Sequence, residues 1–236
     1  MNIKRVDEYS FLEIKDENIA VYFSTAENNL NFNINTKEGI CNVNNLKKWF
    51  HVKDVGYLKQ IHSSIILNYD SNKGIKEGDA LVTDKENIAV GVFTADCVPV
   101  IIYDKVKGVI ATVHSGWKGT RDLIVKKTIL KMKEEFSCVP SNIVVYIGPH
   151  NKSCCYEFGE EALEGFKKEP IYENEAIYKN GKLDLEKCII KQCESVNVKN
   201  INSLGICTKC SEEYKMFSYR RDGIKAGRMF SFIIKK

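Results

Sequence analysis

Short apolar runs rich in β-branched residues recur through the first half of the chain, and they predict consecutive strands. They are SIILNY after His62, ALVT, IAVGVFT, VPVIIYD and GVIATVH, all between residues 57 and 114. Runs of this length and composition are typical of buried strands. Two later runs, NIVVYIGP at 142–149 and the closing RMFSFIIKK, predict two further strands.

Helical patterns are found in the second half of the chain. In RDLIVKKTILKMKEEF, residues 121–136, the apolar positions follow helical spacing and predict an amphipathic helix. EEALEGFKK predicts a short helix, and DLEKCIIKQCESV at 184–196 predicts a longer one with Asp184 as its N-cap. Strands first, then helices mixed with strands, predict an α+β fold of mixed β-sheets flanked by helices.

Length and composition indicate one globular unit. The chain has 236 residues, 44% hydrophobic and 28% charged, and only four prolines. These values predict a single domain over residues 1–236. The start of the chain has no apolar leader pattern, and no stretch reaches the roughly 18 apolar residues of a membrane span. We therefore expect a cytoplasmic protein without a membrane partner.

Charge is evenly mixed, which disfavours nucleic acid as a partner. The 35 basic residues are interleaved with 31 acidic ones, for a net charge of +4. Duplex binders concentrate Lys and Arg in a patch or stripe, and no such run is present. Only five basic residues are arginine, yet Arg220, Arg221 and Arg228 fall within nine positions. This cluster is either a candidate anion site or a set of surface charges on the last strands.

Nine cysteines, an odd number in a chain of this size, predict thiols rather than a disulfide framework. Cys207 and Cys210 form a C-x-x-C pair, but no second C-x-x-C or H-x-x-H completes a four-ligand site, so we expect no metal there. Cys154 and Cys155 are adjacent, and on a strand they would face opposite sides. Four others are predicted to be small core residues: Cys41, Cys138, Cys188 and Cys193.

Candidate chemistry centres on His62, Cys97 and His114, each placed at the end of a predicted strand. As a thiolate and two imidazoles they suit Zn²⁺, with a fourth position left for water or substrate. Alternatively, Cys97 is a nucleophile activated by His114, with His62 or Asp96 orienting the base. A third interpretation is a buried cysteine and two hydrogen-bonded core histidines. Spacing alone leaves all three open.

Six separate motifs decide between these interpretations, because together they resemble one family. The motifs are KQIH at 59–62, GDALVTD at 78–84, GVFTADCVP at 91–99, HSGWKG at 114–119, YIGP at 146–149 with CCYEFG at 154–159, and SYRRD at 218–222 with GRM at 227–229. In this order they resemble the YfiH-like, laccase-domain family over about residues 31–234. That family's zinc-binding, catalytic set falls on His62, Cys97 and His114.

The resemblance implies a purine nucleoside phosphorylase with zinc as cofactor. Its substrates would be phosphate and adenosine, inosine, guanosine or methylthioadenosine, and deamination of adenosine would be a second activity. Scarcity of arginine elsewhere makes Arg220 or Arg221 the hypothesised phosphate contact. The family's usual H-x-G-W-R-G carries Lys118 here, which replaces a bidentate fork by a point charge.

Other functions are weighed against this one. Multicopper oxidation needs many imidazoles, and this chain has four histidines without an H-x-H pair, although Cu²⁺ substituting for zinc would allow a small polyphenol oxidase activity. A cysteine hydrolase or amidase, or a factor that edits cell-wall precursors, is the enzymatic alternative. A non-enzymatic zinc-binding module would need a fourth protein ligand, which Cys155 or His150 would have to supply.

Overall fold

The computed structural model describes residues 1–71 and 74–236, and these residues form fourteen strands and six α-helices. The strands are β1 (Asn2–Val6), β2 (Tyr9–Asp16), β3 (Ile19–Ser24), β4 (Asp54–Gly56), β5 (Ile66–Asn68), β6 (Ala80–Thr83), β7 (Ile88–Thr94), β8 (Val98–Asp104), β9 (Ile110–Ser115), β10 (Ile143–Ile147), β11 (Tyr178–Lys179), β12 (Lys182–Leu183), β13 (Asn200–Ser203) and β14 (Met229–Lys235). The helices are α1 (Lys37–Phe50), α2 (Trp117–Arg121), α3 (Ile124–Phe136), α4 (Glu160–Lys167), α5 (Leu185–Glu194) and α6 (Tyr219–Asp222).

Most of the described strands belong to two six-stranded sheets. Sheet 1 has the order β1-β2-β3-β14-β7-β4, and sheet 2 has the order β13-β10-β8-β9-β6-β5. Both sheets are mixed, because β4 runs parallel to β7, and β13 and β5 run parallel to β10 and β6, while the other pairs are antiparallel. The predicted α+β class with mixed sheets and flanking helices is therefore confirmed.

The two sheets pack face to face, and helices cover their outer faces. Residues of β3, β8 and β14, among them Val21, Ile101 and Ile233, form the apolar layer between the sheets. Aromatic residues of sheet 1 pack against α1, where the Phe50 and Phe232 rings lie 4.9 Å apart. Helices α3 and α5 cover the other face of sheet 2. The result is a four-layer arrangement in which both central layers are sheets.

Alternation along β14 shows how the sequence produces these layers. Phe230, Phe232 and Ile234 point toward α1, whereas Met229 and Ile233 point toward sheet 2. Successive side chains of a strand face opposite sides, so a strand buried on both sides is apolar throughout. This explains why residues 229–234 are apolar at every position except Ser231.

The predicted strands are present, and three features differ from expectation. The predicted helix at 121–136 is broken at Leu123, which has a left-handed backbone (φ 61°), so α2 and α3 are separate. The sequence pattern predicts no strand at β1–β4 or β11–β13 and no helix at α1, α2 or α6. Cys41 is exposed rather than buried, whereas Cys138, Cys188 and Cys193 are in the core as expected. A single domain over residues 1–236 stays a prediction.

Among residues 1–71 and 74–236, no helix has the length and apolar character needed to cross a bilayer.

The candidate site residues lie at one edge of the two packed sheets. Strand β7 ends at Thr94 in sheet 1 and β8 begins at Val98 in sheet 2, so residues 95–97 cross between the sheets. His114 on β9 pairs with Pro99 next to this crossing. The loop that carries His62 leads into β5 at the other side of β6.

The N-cap of α5 provides a test of the local folding argument. The Asp184 carboxylate accepts a hydrogen bond from the Lys187 backbone N–H (2.9 Å). We expect Asp184→Ala to lower the free energy of unfolding by about 1 kcal/mol, because a helix donor loses its partner. Asp184→Asn retains an acceptor and serves as the control, with a change of a few tenths of a kcal/mol. Urea unfolding measures both, and equal losses in the two variants would contradict the capping role.

Candidate active site and metal centre

His62, Cys97 and His114, which lie far apart in sequence, come together in space. Their ligand atoms all lie within 4.8 Å of one another. The Cys97 Sγ is 3.8 Å from the His62 Nε2, and the His62 and His114 rings are 4.8 Å apart and nearly perpendicular. A thiolate and two imidazoles in this arrangement match the three protein ligands of a catalytic zinc site. Their role as ligands and catalytic residues stays a prediction.

A buried carboxylate, Asp79, holds both histidines in place. Its Oδ1 is 2.8 Å from the His114 Nδ1 and accepts the His62 backbone N–H at 3.0 Å. Its Oδ2 accepts the Ser63 backbone N–H and hydroxyl, both at 2.7 Å. The bond to Nδ1 directs the His114 Nε2 toward Cys97, and the backbone bonds stabilise the left-handed conformation of His62 (φ 58°). The GDALVTD motif contains this residue, but sequence analysis did not assign it a role.

Two further motif residues owe their identity to the same site. A Cβ at Gly116 would lie 3.0 Å from the His62 ring and 3.1 Å from the Cys97 Sγ, so the glycine leaves the space in which the two ligands approach. Gln60 donates to the Phe93 carbonyl (2.8 Å) and accepts the Phe93 N–H (2.7 Å), which fastens the His62 loop to β7. The glutamine of Q-x-H therefore positions the His62 loop through hydrogen bonds, and the glycine of H-x-G-W leaves space for the candidate ligands.

The backbone that presents Cys97 is strained and held by hydrogen bonds. Asp96 has φ 96°, which an L-residue rarely adopts, and its carbonyl accepts the Asn151 N–H at 2.9 Å. Its side chain accepts the Thr208 hydroxyl and the Arg220 backbone N–H, each at 2.6 Å. Asp96 thus connects the Cys97 turn to two loops from the C-terminal part of the chain, rather than orienting a base.

Electrostatics favour a charged pair between Cys97 and His114. Burial alone would raise the pKa of the Cys97 thiol, but the adjacent His114 and His62 outweigh it and lower that pKa to about 6. Burial would lower the pKa of His114, yet the Cys97 thiolate and Asp79 raise it to about 9. In the absence of metal, the two opposite pKa shifts favour the thiolate and imidazolium forms of the pair.

The three side chains lie in a cavity of about 600 Å³, a size typical of small-molecule sites. Four aromatic residues line it: Phe93, Trp117, Tyr156 and Tyr219. Polar and basic groups also face the cavity, including Asn33, Asn35, Lys59 and two arginines. An apolar, aromatic wall beside cationic groups suits a ligand with a flat base at one end and a negative charge at the other.

The arginines of the C-terminal cluster are placed differently from one another. Arg220 lines the cavity, stacks over the Tyr156 ring at 4.8 Å and donates from Nη1 to the Glu157 carbonyl at 3.0 Å. Arg228 lines the cavity as well. The guanidinium of Arg221 instead donates to carbonyls of Thr208 and Met216 and pairs with Asp222, and the described lining of the cavity does not include it.

Residues considered as a fourth ligand lie elsewhere. The Nδ1 of His150 is bonded to the Gly148 carbonyl, and its Nε2 is 3.5 Å from Glu186. Cys155 belongs to a different group of cysteines. Among the described residues, no further His, Cys, Asp or Glu joins His62, Cys97 and His114. Lys118 is exposed, with its Nζ over the Trp117 ring, and is not among the described residues that line the cavity.

Comparison with known proteins shows the family to which the chain belongs. The chain belongs to the family described as multi-copper polyphenol oxidoreductase laccase, since that family's model matches residues 22–236. The predicted membership of the YfiH-like, laccase-domain family is therefore confirmed. The crystal structure of Bacillus licheniformis hypothetical protein YfiH is similar, with a TM-score of 0.88, 26% identity and 98% of each chain covered.

Particular relatives carry names of purine enzymes. A purine nucleoside phosphorylase of Clostridium acetobutylicum is 72% identical over 236 residues, which is 100% of both chains. Adenosine deaminase RL5, from an unknown prokaryotic organism, is 36% identical over 178 residues, covering 72% of this chain and 67% of that protein. A purine nucleoside phosphorylase of Aquifex aeolicus is 36% identical over 172 residues, covering 72% of this chain and 77% of its own.

Removal of the Asp79 carboxylate tests its positioning role. We expect Asp79→Asn to weaken zinc binding by about 10- to 100-fold, because His114 loses its charged partner and the His62 loop loses an acceptor. Competition with a chelator of known affinity measures the change. Asp84→Asn, in the same motif but exposed, should bind zinc as the unchanged chain does. Equal affinity of Asp79→Asn and the unchanged chain would contradict the role.

The pKa values of the metal-free pair predict how zinc affinity depends on pH. Zinc needs the thiolate and a neutral imidazole, so between about pH 6 and 9 binding must displace one proton, that of His114. The affinity should therefore rise about tenfold per pH unit in this window and fall more steeply below it, where the thiol is protonated too. Zinc titrations at several pH values measure the slope, and an affinity that stays constant from pH 6 to 9 would contradict the pairing.

Proposed function

We propose that this protein is a zinc-dependent purine nucleoside phosphorylase that converts adenosine, inosine, guanosine and methylthioadenosine, with phosphate, to the free base and the sugar 1-phosphate. One observation carries the proposal: three side chains that could hold a metal ion converge in a cavity that has aromatic walls and two arginines. The names of its relatives agree with it. Deamination of adenosine is proposed as a second activity, in line with the name of one relative.

The donor set fits zinc in both number and type. His62, Cys97 and His114 supply three ligands of the kind zinc prefers, and Gly116 keeps the space between two of them free of a side chain. Bound by these three residues, zinc would supply a Lewis acid in the cavity. Asp79 fixes the His114 ring and the His62 loop, so the ligands need little rearrangement.

The aromatic residues are proposed to bind the purine. The cavity is lined by four flat aromatic side chains, those of Phe93, Trp117, Tyr156 and Tyr219. Stacking on such surfaces suits every purine. Because stacking discriminates weakly between bases, a broad substrate range is expected. Amide side chains at the rim, Asn33 and Asn35, offer both hydrogen-bond donors and acceptors to the base or the ribose.

Arg220 is proposed as the phosphate contact, with Arg228 as a second cation facing the same cavity. A guanidinium has five N–H donors, and the bond from Arg220 to the Glu157 carbonyl uses one of them. Its central carbon lies 4.8 Å from the centre of the Tyr156 ring, a cation–π contact that helps to hold the group in place. Arg221 is proposed to act through position only: it fastens the loop that carries Thr208 and thereby supports Arg220.

A metal-free cysteine enzyme is the second candidate, and the Cys97–His114 pair favours it. A thiol with a pKa of about 6 beside a histidine is the arrangement of a cysteine nucleophile. The amidase interpretation and the editing of cell-wall precursors both depend on such a nucleophile. Chelation separates the candidates: a phosphorylase that needs zinc loses activity and regains it on adding zinc, whereas a cysteine nucleophile stays active without metal and is inactivated by alkylation of Cys97.

The geometry of the site gives little support to copper-dependent polyphenol oxidation. The chain has four histidines, and only His62 and His114 belong to the cluster, while His150 is bonded elsewhere. A coupled set of copper centres requires many more imidazoles. Cu²⁺ in place of zinc at the single site would give at most a weak oxidase.

Product analysis tests the reaction class. Purified, zinc-loaded protein is incubated with adenosine or inosine, with and without phosphate, and the products are separated by chromatography. We expect hypoxanthine from inosine and adenine from adenosine only when phosphate is present, and inosine from adenosine in either case. His114→Ala, which removes a metal ligand, should abolish every product. Absence of any product from the zinc-loaded protein would contradict the proposal.

Substitution of Arg220 tests the phosphate site separately. Loss of a charge-assisted hydrogen bond costs about 1.5–3 kcal/mol, so we expect Arg220→Ala to raise the KM for phosphate about 10-fold or more. The KM for inosine should change less. Arg5→Ala, an exposed arginine on β1, is the matched control and should leave both values unchanged. An unaltered phosphate KM in Arg220→Ala would exclude Arg220 as the contact.

A further inference from the structure

A second group of possible metal ligands lies outside the cavity. Cys154, Cys155, Cys207 and Cys210 have sulfur atoms that all lie within 4.8 Å of one another. The four residues come from two loops separated by about fifty positions in sequence, so the fold alone brings them together. The sequence has no second C-x-x-C or H-x-x-H to complete a site with the C-x-x-C pair, but in the fold the adjacent cysteines 154 and 155 lie beside that pair.

The spacing of the sulfurs matches a tetrahedral ion rather than disulfides. Zinc–sulfur bonds of about 2.3 Å place the sulfurs of a tetrahedral site about 3.8 Å apart. The Cys154 and Cys210 Sγ atoms are 3.7 Å apart. A disulfide would require about 2.05 Å, and all nine cysteines, which lie within the described ranges, are unbonded.

Turn geometry explains how two adjacent cysteines serve one ion. Residues 153–155 form a turn, in which the N–H groups of Cys155 and Tyr156 both donate to the Lys152 carbonyl at 2.8 Å. The alternation that would send neighbouring side chains to opposite faces applies to strands, not to such a turn. A second turn carries the C-x-x-C pair, closed by the bond from the Ser211 N–H to the Cys207 carbonyl at 3.0 Å.

Backbone N–H groups surround one of the four sulfurs. Those of Lys152, Cys210 and Lys209 donate to the Cys207 Sγ. The Lys182 ammonium donates to the carbonyl of Cys154. Backbone N–H donors and nearby ammonium groups are what a tetrathiolate, with its excess negative charge, requires.

From this geometry we propose that Cys154, Cys155, Cys207 and Cys210 form a structural Zn²⁺ site, separate from the His62–Cys97–His114 site. Four thiolates close the coordination shell, so the ion has no open position for substrate. The site links the loop that leads to Tyr156, which lines the cavity, to the loop whose Thr208 is bonded to Asp96. Tyr156 follows directly after Cys155, and Thr208, between the paired cysteines, donates to Asp96 at 2.6 Å. The inference does not depend on the proposed reaction.

Metal stoichiometry tests the proposal without reference to activity. The chain is purified under reducing conditions, saturated with zinc and freed of excess metal. Its zinc-to-protein ratio is then measured by inductively coupled plasma mass spectrometry. We expect two zinc ions per chain. The double variant Cys207→Ser/Cys210→Ser should retain one, and so should His62→Ala/His114→Ala. Cys41→Ser, which removes an exposed cysteine on α1, is the control and should retain two.

The coordination shell provides a second, independent readout. In His62→Ala/His114→Ala, zinc X-ray absorption should show sulfur ligands alone at about 2.3 Å. In the unchanged, zinc-loaded chain, cysteines 154, 155, 207 and 210 should resist alkylation until a chelator is added, while Cys41 reacts at once; this readout holds even if a variant fails to fold. Absence of zinc from His62→Ala/His114→Ala, a shell containing nitrogen or oxygen in that variant, or alkylation of the four cysteines as fast as Cys41 would each overturn the proposal.

Discussion

The buried carboxylate of Asp79 is the interaction on which the site depends. It accepts hydrogen bonds from the backbone of His62 and Ser63 and from the His114 ring, so one side chain sets the position of two candidate ligands at once. Its own backbone carbonyl accepts the His114 N–H at 2.7 Å, which ties the residue to β9. A buried charge is tolerated only where its bonds are satisfied, and here those bonds are what order the loop. The same bond to the imidazole favours the charged form of His114 and hence the thiolate of Cys97.

Much of the fold follows from local pattern, and the rest depends on packing. Strands β6–β9 could be predicted because they are buried on both faces and therefore largely apolar throughout. The break between α2 and α3 could not, because the left-handed residue there is Leu123, which carries no turn signal. Helix α1 has a weak apolar stripe of Val43, Leu46 and Phe50, and its formation depends on the aromatic face of sheet 1 that it covers.

The candidate site, like the fold, could be predicted from the sequence only in part. Motif order identified His62, Cys97 and His114 as candidates, but spacing alone could not show that their ligand atoms meet, since 35 and 17 residues separate them along the chain. Of the clustered arginines, Arg220 and Arg228 reach the cavity and Arg221 is bonded to backbone carbonyls, a difference set by the turn of the chain after Ser218. The four-cysteine group was missed because the prediction assumed strand geometry for two adjacent cysteines that lie in a turn. The strained Asp96 joins the two sites, for it bonds to Thr208 in one cysteine loop and to the backbone of Arg220.

The central claim is that His62, Cys97 and His114 hold the metal at which a nucleoside is bound. Anomalous X-ray diffraction at the zinc edge, from crystals grown with zinc and a non-cleavable inosine analogue, tests this most directly. We expect a zinc peak about 2.0–2.1 Å from a nitrogen of each histidine and about 2.3 Å from the Cys97 sulfur, with the purine between the aromatic residues of the same cavity. Analogue bound in the cavity with no metal at these three residues, or zinc there with the analogue bound elsewhere, would contradict it.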